Sequence, residues 1–166
     1  PFPGSPLGVQ MRYILIAMGL DPDEDLKISY SSPTQTVGLL LTGKIDAAPL
    51  PAPLATNLEM ERGLHRSFEI PMAWAEVMDG DPMSPQVSLF ATDERAYEDT
   101  GLFHSVVRAW ESASHLVGAH PESFGGMFAE ALELPPHIVI EALFRTMLFV
   151  PPPEENEMQV RRYFEI

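Results

Sequence analysis

Asp21-Pro22-Asp23-Glu24-Asp25 crowds acidic side chains in the way a calcium loop presents its oxygen ligands. Such a loop needs glycine at its sixth position and glutamate at its twelfth, where this chain has Leu26 and Ser32. The run therefore reads as a solvated acidic turn. Five histidines raise the question of a transition-metal site. His104 and His115 fall on one face of a helix, but the rise along the axis separates them by about 16 Å, too far to clasp one ion. His115 and His120 face different sides of the helix, and no H-E-x-x-H occurs. Cysteine is absent, which excludes disulfides, thiolate metal sites and thiol nucleophiles. The sequence also lacks G-x-S-x-G, G-x-x-x-x-G-K-[ST] and G-x-G-x-x-G, the loops that carry a nucleophile, phosphates or a dinucleotide. Glu154, Glu155 and Glu157 stand at a helix start, where carboxylates complement the dipole. The expectation is a chain with no catalytic residues, no metal and no cofactor.

What remains is the chemistry of binding. Ser5 is suited to an N-cap and Pro6 to the first helical position, where its missing N–H costs nothing. The free N–H groups and positive dipole end of that helix can hold a carboxylate, sulfonate or phosphate edge, although capping alone also accounts for Ser5. Trp74 can wall a pocket for a flat or apolar ligand, or it can anchor its segment to the core. Composition narrows the partners. The 166 residues are 45% hydrophobic and 20% charged, with a net charge of −14. So acidic a chain is unsuited to nucleic acid or to an anionic membrane surface. No uncharged stretch approaches the length of a membrane span, and no signal-peptide pattern opens the chain. Pro1-Phe2-Pro3 leads directly into a helix signal and reads as the interior of a longer protein.

The elements that position these residues follow from cap and periodicity signals. A first helix runs from Pro6 with the stripe Leu7, Met11, Ile14, Leu15 and Met18, and stops at Gly19. Lys27 to Tyr30 reads as a strand, and Ser32-Pro33 opens a second helix through Leu41. The passage from Leu39 to Arg62 reads as helix, strand and helix, its strand opened by Asp46 and crossed by Pro49, its last helix spanning Leu54 to Arg62 and closed by Gly63. Phe68 to Ile70 reads as a strand, Met72 to Met83 as an irregular loop carrying Trp74, and Gln86 to Thr92 as a strand by its alternation. Beyond it only helices are expected, over 93–99, 102–119, 121–132, 136–148 and 153–164.

Gly43-Lys44-Ile45-Asp46-Ala47-Ala48, with the Pro-containing turn and the Leu54-Ala55-Thr56 helix that follow, resembles the substrate-binding proteins of ABC importers. The resemblance is to the branch serving sulfonates, nitrate and thiamine-pyrimidine precursors. PFPGSPLG, MGLDPDEDL, VSLFAT and His120-Pro121-Glu122 occur in the matching order. This resemblance implies an α/β fold: a periplasmic-binding-protein-like lobe, with a small mixed sheet flanked by helices, over residues 1–92, and a helical C-terminal segment over 93–166. The lobe would be the second of a two-lobed clamp whose first lobe lies upstream. It also implies a site. Ser5 and the backbone of Pro6, Leu7 and Gly8 would hold an anionic group. The turn Leu50, Pro51, Ala52 and Pro53, at a strand's carboxyl end, would shape the pocket together with Trp74. Relatives place a glutamate near this turn, and the uncharged Ala52 leaves it only backbone and shape to contribute. The implied function is capture of a small solute in an interlobe cleft outside the cytoplasmic membrane and its delivery to an ABC permease. In the periplasm or its equivalent, the full-length protein would be soluble or lipid-anchored. Two other readings stand beside it: a small biosynthetic enzyme on the same fold, and a homo-oligomer that pairs through the exposed lobe interface.

Overall fold

The computed structural model describes residues 4–84, 86–87, 89, 92, 94, 98–146, 148, 150–151 and 153–165, the side chains of 153–156 excepted. Among these residues there are eight helices: α1 Pro6–Ala17, α2 Pro33–Leu41, α3 Leu54–Arg62, α4 Ile70–Val77, α5 Thr100–Ala119, α6 Pro121–Leu132, α7 Pro136–Arg145 and α8 Pro153–Phe164. They fall into two compact units. One comprises Pro1–Pro51, His65–Gln86 and Met158–Ile166, the other Ala52–Leu64 and Val87–Glu157.

The expected α/β architecture is corrected, because no β-strand forms among the described residues. A strand needs a paired neighbour and at least one buried face. Lys27, Ser29 and Tyr30 are exposed and only Ile28 is half-buried, so this segment runs irregularly along the surface. After Asp46 the chain carries Pro49 and Pro51, two residues apart, and so lacks two N–H donors along one edge; it forms no ladder. Phe68 to Ile70 is not a strand, and the segment after it is not a loop. Ile70 starts α4 and Pro71 sits in its first turn. Ile70, Ala73, Trp74 and Val77 then recur at i, i+3, i+4 and i+7, the apolar period of a helix. Of the strand expected over 86–92, Ser88, Phe90 and Ala91 lie outside the described residues, and Gln86, Val87, Leu89 and Thr92 are irregular and exposed. Most of the helix expected over 93–99 also lies outside them.

The helical readings hold more closely. Ser5 caps α1, its Oγ accepting the Gly8 N–H at 3.2 Å. Ser32 caps α2 in a reciprocal box: its Oγ accepts from the Gln35 N–H at 3.3 Å while its own N–H donates to Gln35 Oε1 at 3.2 Å. Gly63 closes α3 at φ 63°, a left-handed conformation that a side chain would strain. Asp99 caps α5, its Oδ1 accepting from the Leu102 N–H at 2.9 Å. α7 ends at Arg145, three residues short of the expected Leu148, because Thr146 turns extended and its hydroxyl donates to the Ala142 carbonyl at 2.7 Å.

In the first unit, α1 packs on α4 around Ile14, Trp74 and Met78, with Tyr13, Val77 and Tyr163 against them. The Trp74 ring lies 5.6 Å from Tyr13 and 6.1 Å from Tyr163, centroid to centroid, in tilted contacts. In the second unit, α6 packs closely on α7 at Gly125, where an added Cβ would collide with the Ile140 side chain. α3 joins α7 through Arg145, whose Nη1 reaches Glu59 at 2.7 Å, and through His137 and Glu61 at 3.0 Å. No helix among the described residues is long and apolar enough to cross a membrane.

Candidate functional site

Ser5 sits at the head of α1 with 5% of its surface exposed, and Gly8 beside it is buried. The first turn spends part of its anion-holding capacity internally. Pro6 has no N–H and the Gly8 N–H already donates to Ser5 Oγ. An anion docked there would use the Leu7 N–H and compete with Ser5 for that of Gly8. The Pro6 carbonyl accepts the Tyr163 hydroxyl at 3.4 Å, which ties the C-terminal helix to this end of α1. Burial raises the Tyr163 phenol above its ordinary pKa.

One turn further along α1, Gln10 is 2% exposed and carries a polar cluster that sequence reasoning missed. Its Nε2 donates to Ser84 Oγ at 2.6 Å, and its Oε1 accepts from Gln86 Nε2 at 3.1 Å. Gln86 Nε2 also donates to Ser84 Oγ at 2.8 Å. A glutamine within an apolar stripe was the available signal, since a buried amide must find partners. On the solvent side of α1, Arg12 binds Asp23 with two hydrogen bonds, of 3.0 and 2.5 Å. That pairing lowers the Asp23 carboxyl pKa and raises that of the guanidinium.

Trp74 is 1% exposed, and its Nε1–H donates to the Met83 carbonyl at 3.1 Å. The ring belongs to the core of the first unit. The turn that was expected to shape a pocket is divided, with Leu50 and Pro51 in the first unit and Ala52 and Pro53 in the second. Of the candidate residues, Ser5, Pro6, Leu7, Gly8, Leu50, Pro51 and Trp74 share the first unit.

Ala52 and Pro53 border a pocket of about 390 Å³ within the second unit. Its walls come from α5 through Trp110, Ser114 and Val117, from α6 through Phe128, and from α7 through Val139 and Leu143. The periodicity was present in the sequence: Trp110, Ser114 and Val117, and likewise Val139, Leu143 and Thr146, each share a helix face. What hid the pocket is that an apolar helix face has the same period whether it lines a pocket or packs in a core. No ionisable side chain among the described residues lines it, and the Thr146 hydroxyl is already engaged with the Ala142 carbonyl. Such a lining can take the water-averse body of a ligand but offers no acid or base to activate the Ser114 hydroxyl. Nowhere among the described residues do three His, Cys, Asp or Glu side chains gather as a metal-binding set.

The sequence model of the NMT1-like family matches residues 1–123. No curated protein and no solved structure matches the chain. The family is periplasmic-binding-protein-like and linked to binding proteins for sulfonates, nitrate and thiamine precursors. The matched segment holds α1 to α5 and all nine residues singled out at the Ser5 helix start, the Leu50–Pro53 turn and Trp74. On a match that covers 123 of its 166 residues, this chain belongs to the NMT1-like family.

Proposed function

We propose that the chain is a solute-binding component of an ABC importer, working outside the cytoplasmic membrane to capture a small solute and present it to the permease. The observation that carries this reading is the family match over residues 1–123. In the proposed site, Ser5 and the backbone of Pro6, Leu7 and Gly8 hold the anionic edge of the solute at the positive end of α1. Leu50 and Pro51, in the same unit, add shape without charge. Trp74 acts from beneath, because its ring fixes α1 through Tyr13. Ala52 and Pro53, the other half of the turn, belong to the second unit and border that unit's own pocket.

A thermal-shift screen of the chain against sulfonates, nitrate, bicarbonate, amino acids, pyrimidines and short peptides tests this. A ligand that binds only the folded state raises the melting temperature, by an amount that grows with its concentration over Kd. The expected result is a saturable rise with one solute class, reduced in Ser5→Ala. Turnover of a cleft-sized metabolite, with no thermal response to any solute, would overturn the transport reading.

A further inference from the structure

The pocket of the second unit has a chemical character that the family match does not assign, since its α6 and α7 walls lie beyond residue 123. Two observations define it. The first is the lining: Trp110 and Phe128 with aliphatic neighbours and the hydroxyls of Ser114 and Thr146, and no charged side chain of either sign among the described residues. The second is the field around it. The segments Ala52–Leu64 and Val87–Glu157 hold fourteen acidic and four basic residues, so this unit carries −10 of the chain's −14. Of the four cations, Arg145 is committed to Glu59 at 2.7 Å and to Glu141 at 2.7 Å.

An apolar pocket inside a strongly negative unit discriminates by charge even though no charge touches the ligand. The summed potential raises the local concentration of cations and excludes anions. An indole face attracts a cation further through its quadrupole, and most strongly where water is excluded. A neutral apolar molecule would gain only from the walls. We propose that this pocket binds an organic cation with an apolar body, of the aryl- or alkylammonium class. Trp110 supplies the face for the charged nitrogen, and Phe128, Val139 and Leu143 enclose the carbon skeleton. A volume of about 390 Å³ suits a ligand with a single ring or a few short alkyl arms. The proposal concerns the second unit alone and is independent of the anion-holding role assigned to the head of α1.

Tryptophan fluorescence tests it directly, because the chain has two tryptophans and Trp74 is 1% exposed. The intact chain is titrated with benzyltrimethylammonium, benzyl alcohol and benzenesulfonate, which share a ring and differ in charge. The expected result is a saturable change with the ammonium ion that weakens as salt is raised, an affinity for the alcohol at least tenfold lower, and no saturation with the sulfonate. Trp110→Phe should abolish the signal. Ala113 lines the pocket yet lies exposed on α5, so Ala113→Arg places a cation at the rim without disturbing the core. With circular dichroism unchanged, it should weaken the ammonium ion at least tenfold and leave the alcohol unaltered. Absence of saturation with the ammonium ion overturns the proposal. So does equal affinity for alcohol and ammonium, or a folded Ala113→Arg variant that binds the ammonium ion as before. The three-ligand comparison on the unaltered chain stands whether or not the variant folds.

Discussion

The indole N–H of Trp74 donates to the carbonyl oxygen of Met83 at 3.1 Å, tying α4 to the chain nine residues on, past the left-handed turn at Asp79 and Gly80. The bond satisfies the one polar atom of a ring that is otherwise enclosed by Ile14, Met78, Tyr13 and Tyr163. Trp74→Phe keeps most of the apolar contact but leaves the Met83 carbonyl without this donor, at a cost of about 1–3 kcal/mol. Trp74→Ala also opens a cavity and should cost about 3–5 kcal/mol. Urea unfolding followed by far-ultraviolet dichroism should rank the two in that order.

Gly125 marks the closest approach of α6 to α7. A methyl group there meets the Ile140 side chain, so Gly125→Ala should destabilise by about 1–3 kcal/mol despite the better helix propensity of alanine. Removing the obstacle should reverse the sign. In the pair Gly125→Ala with Ile140→Ala, the double variant should be more stable than the sum of the single effects predicts, and a double-mutant cycle on melting data measures the coupling.

Arg145 bridges two carboxylates from different helices, Glu59 on α3 and Glu141 on its own α7, and both raise its pKa. Its side chain is about one-third exposed, so solvent screens the pair. Arg145→Met should lower stability by only about 0.3–1 kcal/mol, and the difference should shrink in high salt. A loss that salt leaves unchanged would point to packing of the guanidinium stem instead.

Burial raises the Tyr163 phenol above its ordinary value near pH 10. With the folded pKa above the unfolded one, the stability linked to this group is complete below the unfolded value and is lost as pH climbs through the folded value. The urea midpoint should fall above about pH 10, and the fall should be shallower in Tyr163→Phe. The Arg12–Asp23 pair has the opposite sign. Its lowered carboxyl stabilises above the ordinary carboxylate range, and that contribution disappears as pH drops through the folded value. Asp23→Asn should therefore flatten the acid side of the same profile.

Helix starts were legible in the sequence because they are written locally. Ser5-Pro6 and Ser32-Pro33 each pair an N-cap with a residue that cannot sit deeper in a helix, and both open helices where expected. The strands were not legible, because a strand is decided by a partner elsewhere in the chain. Lys27 to Tyr30 has the composition of a strand and no strand to pair with among the described residues, and Pro49 with Pro51 removes the donors that a neighbour would need. α4 was misread for a different reason. Phe68 to Ile70 was read as a strand and Met72 to Met83 as a loop, whereas Pro71, one residue into a helix, serves as an opening, and the period of Ile70, Ala73, Trp74 and Val77 was there to be counted. At the candidate site, the cap at Ser5 could be read from the chain. The burial of Trp74, the Gln10 cluster and the pocket beneath Trp110 depend on contacts across tens of residues.

The prolines that open α1, α2, α4, α6 and α7, namely Pro6, Pro33, Pro71, Pro121 and Pro136, act as phase marks. A helix cannot slide backwards past such a residue, so the angular bearing of every later side chain is counted from it, at about 100° per position. Deleting one residue between Pro136 and Val139 would therefore swing Val139, Ala142 and Leu143 off their wall together, whereas a deletion just before Pro136 would only tighten a connector. Tolerance to insertion and deletion should thus be sharply asymmetric about each of these prolines, permissive upstream and intolerant downstream.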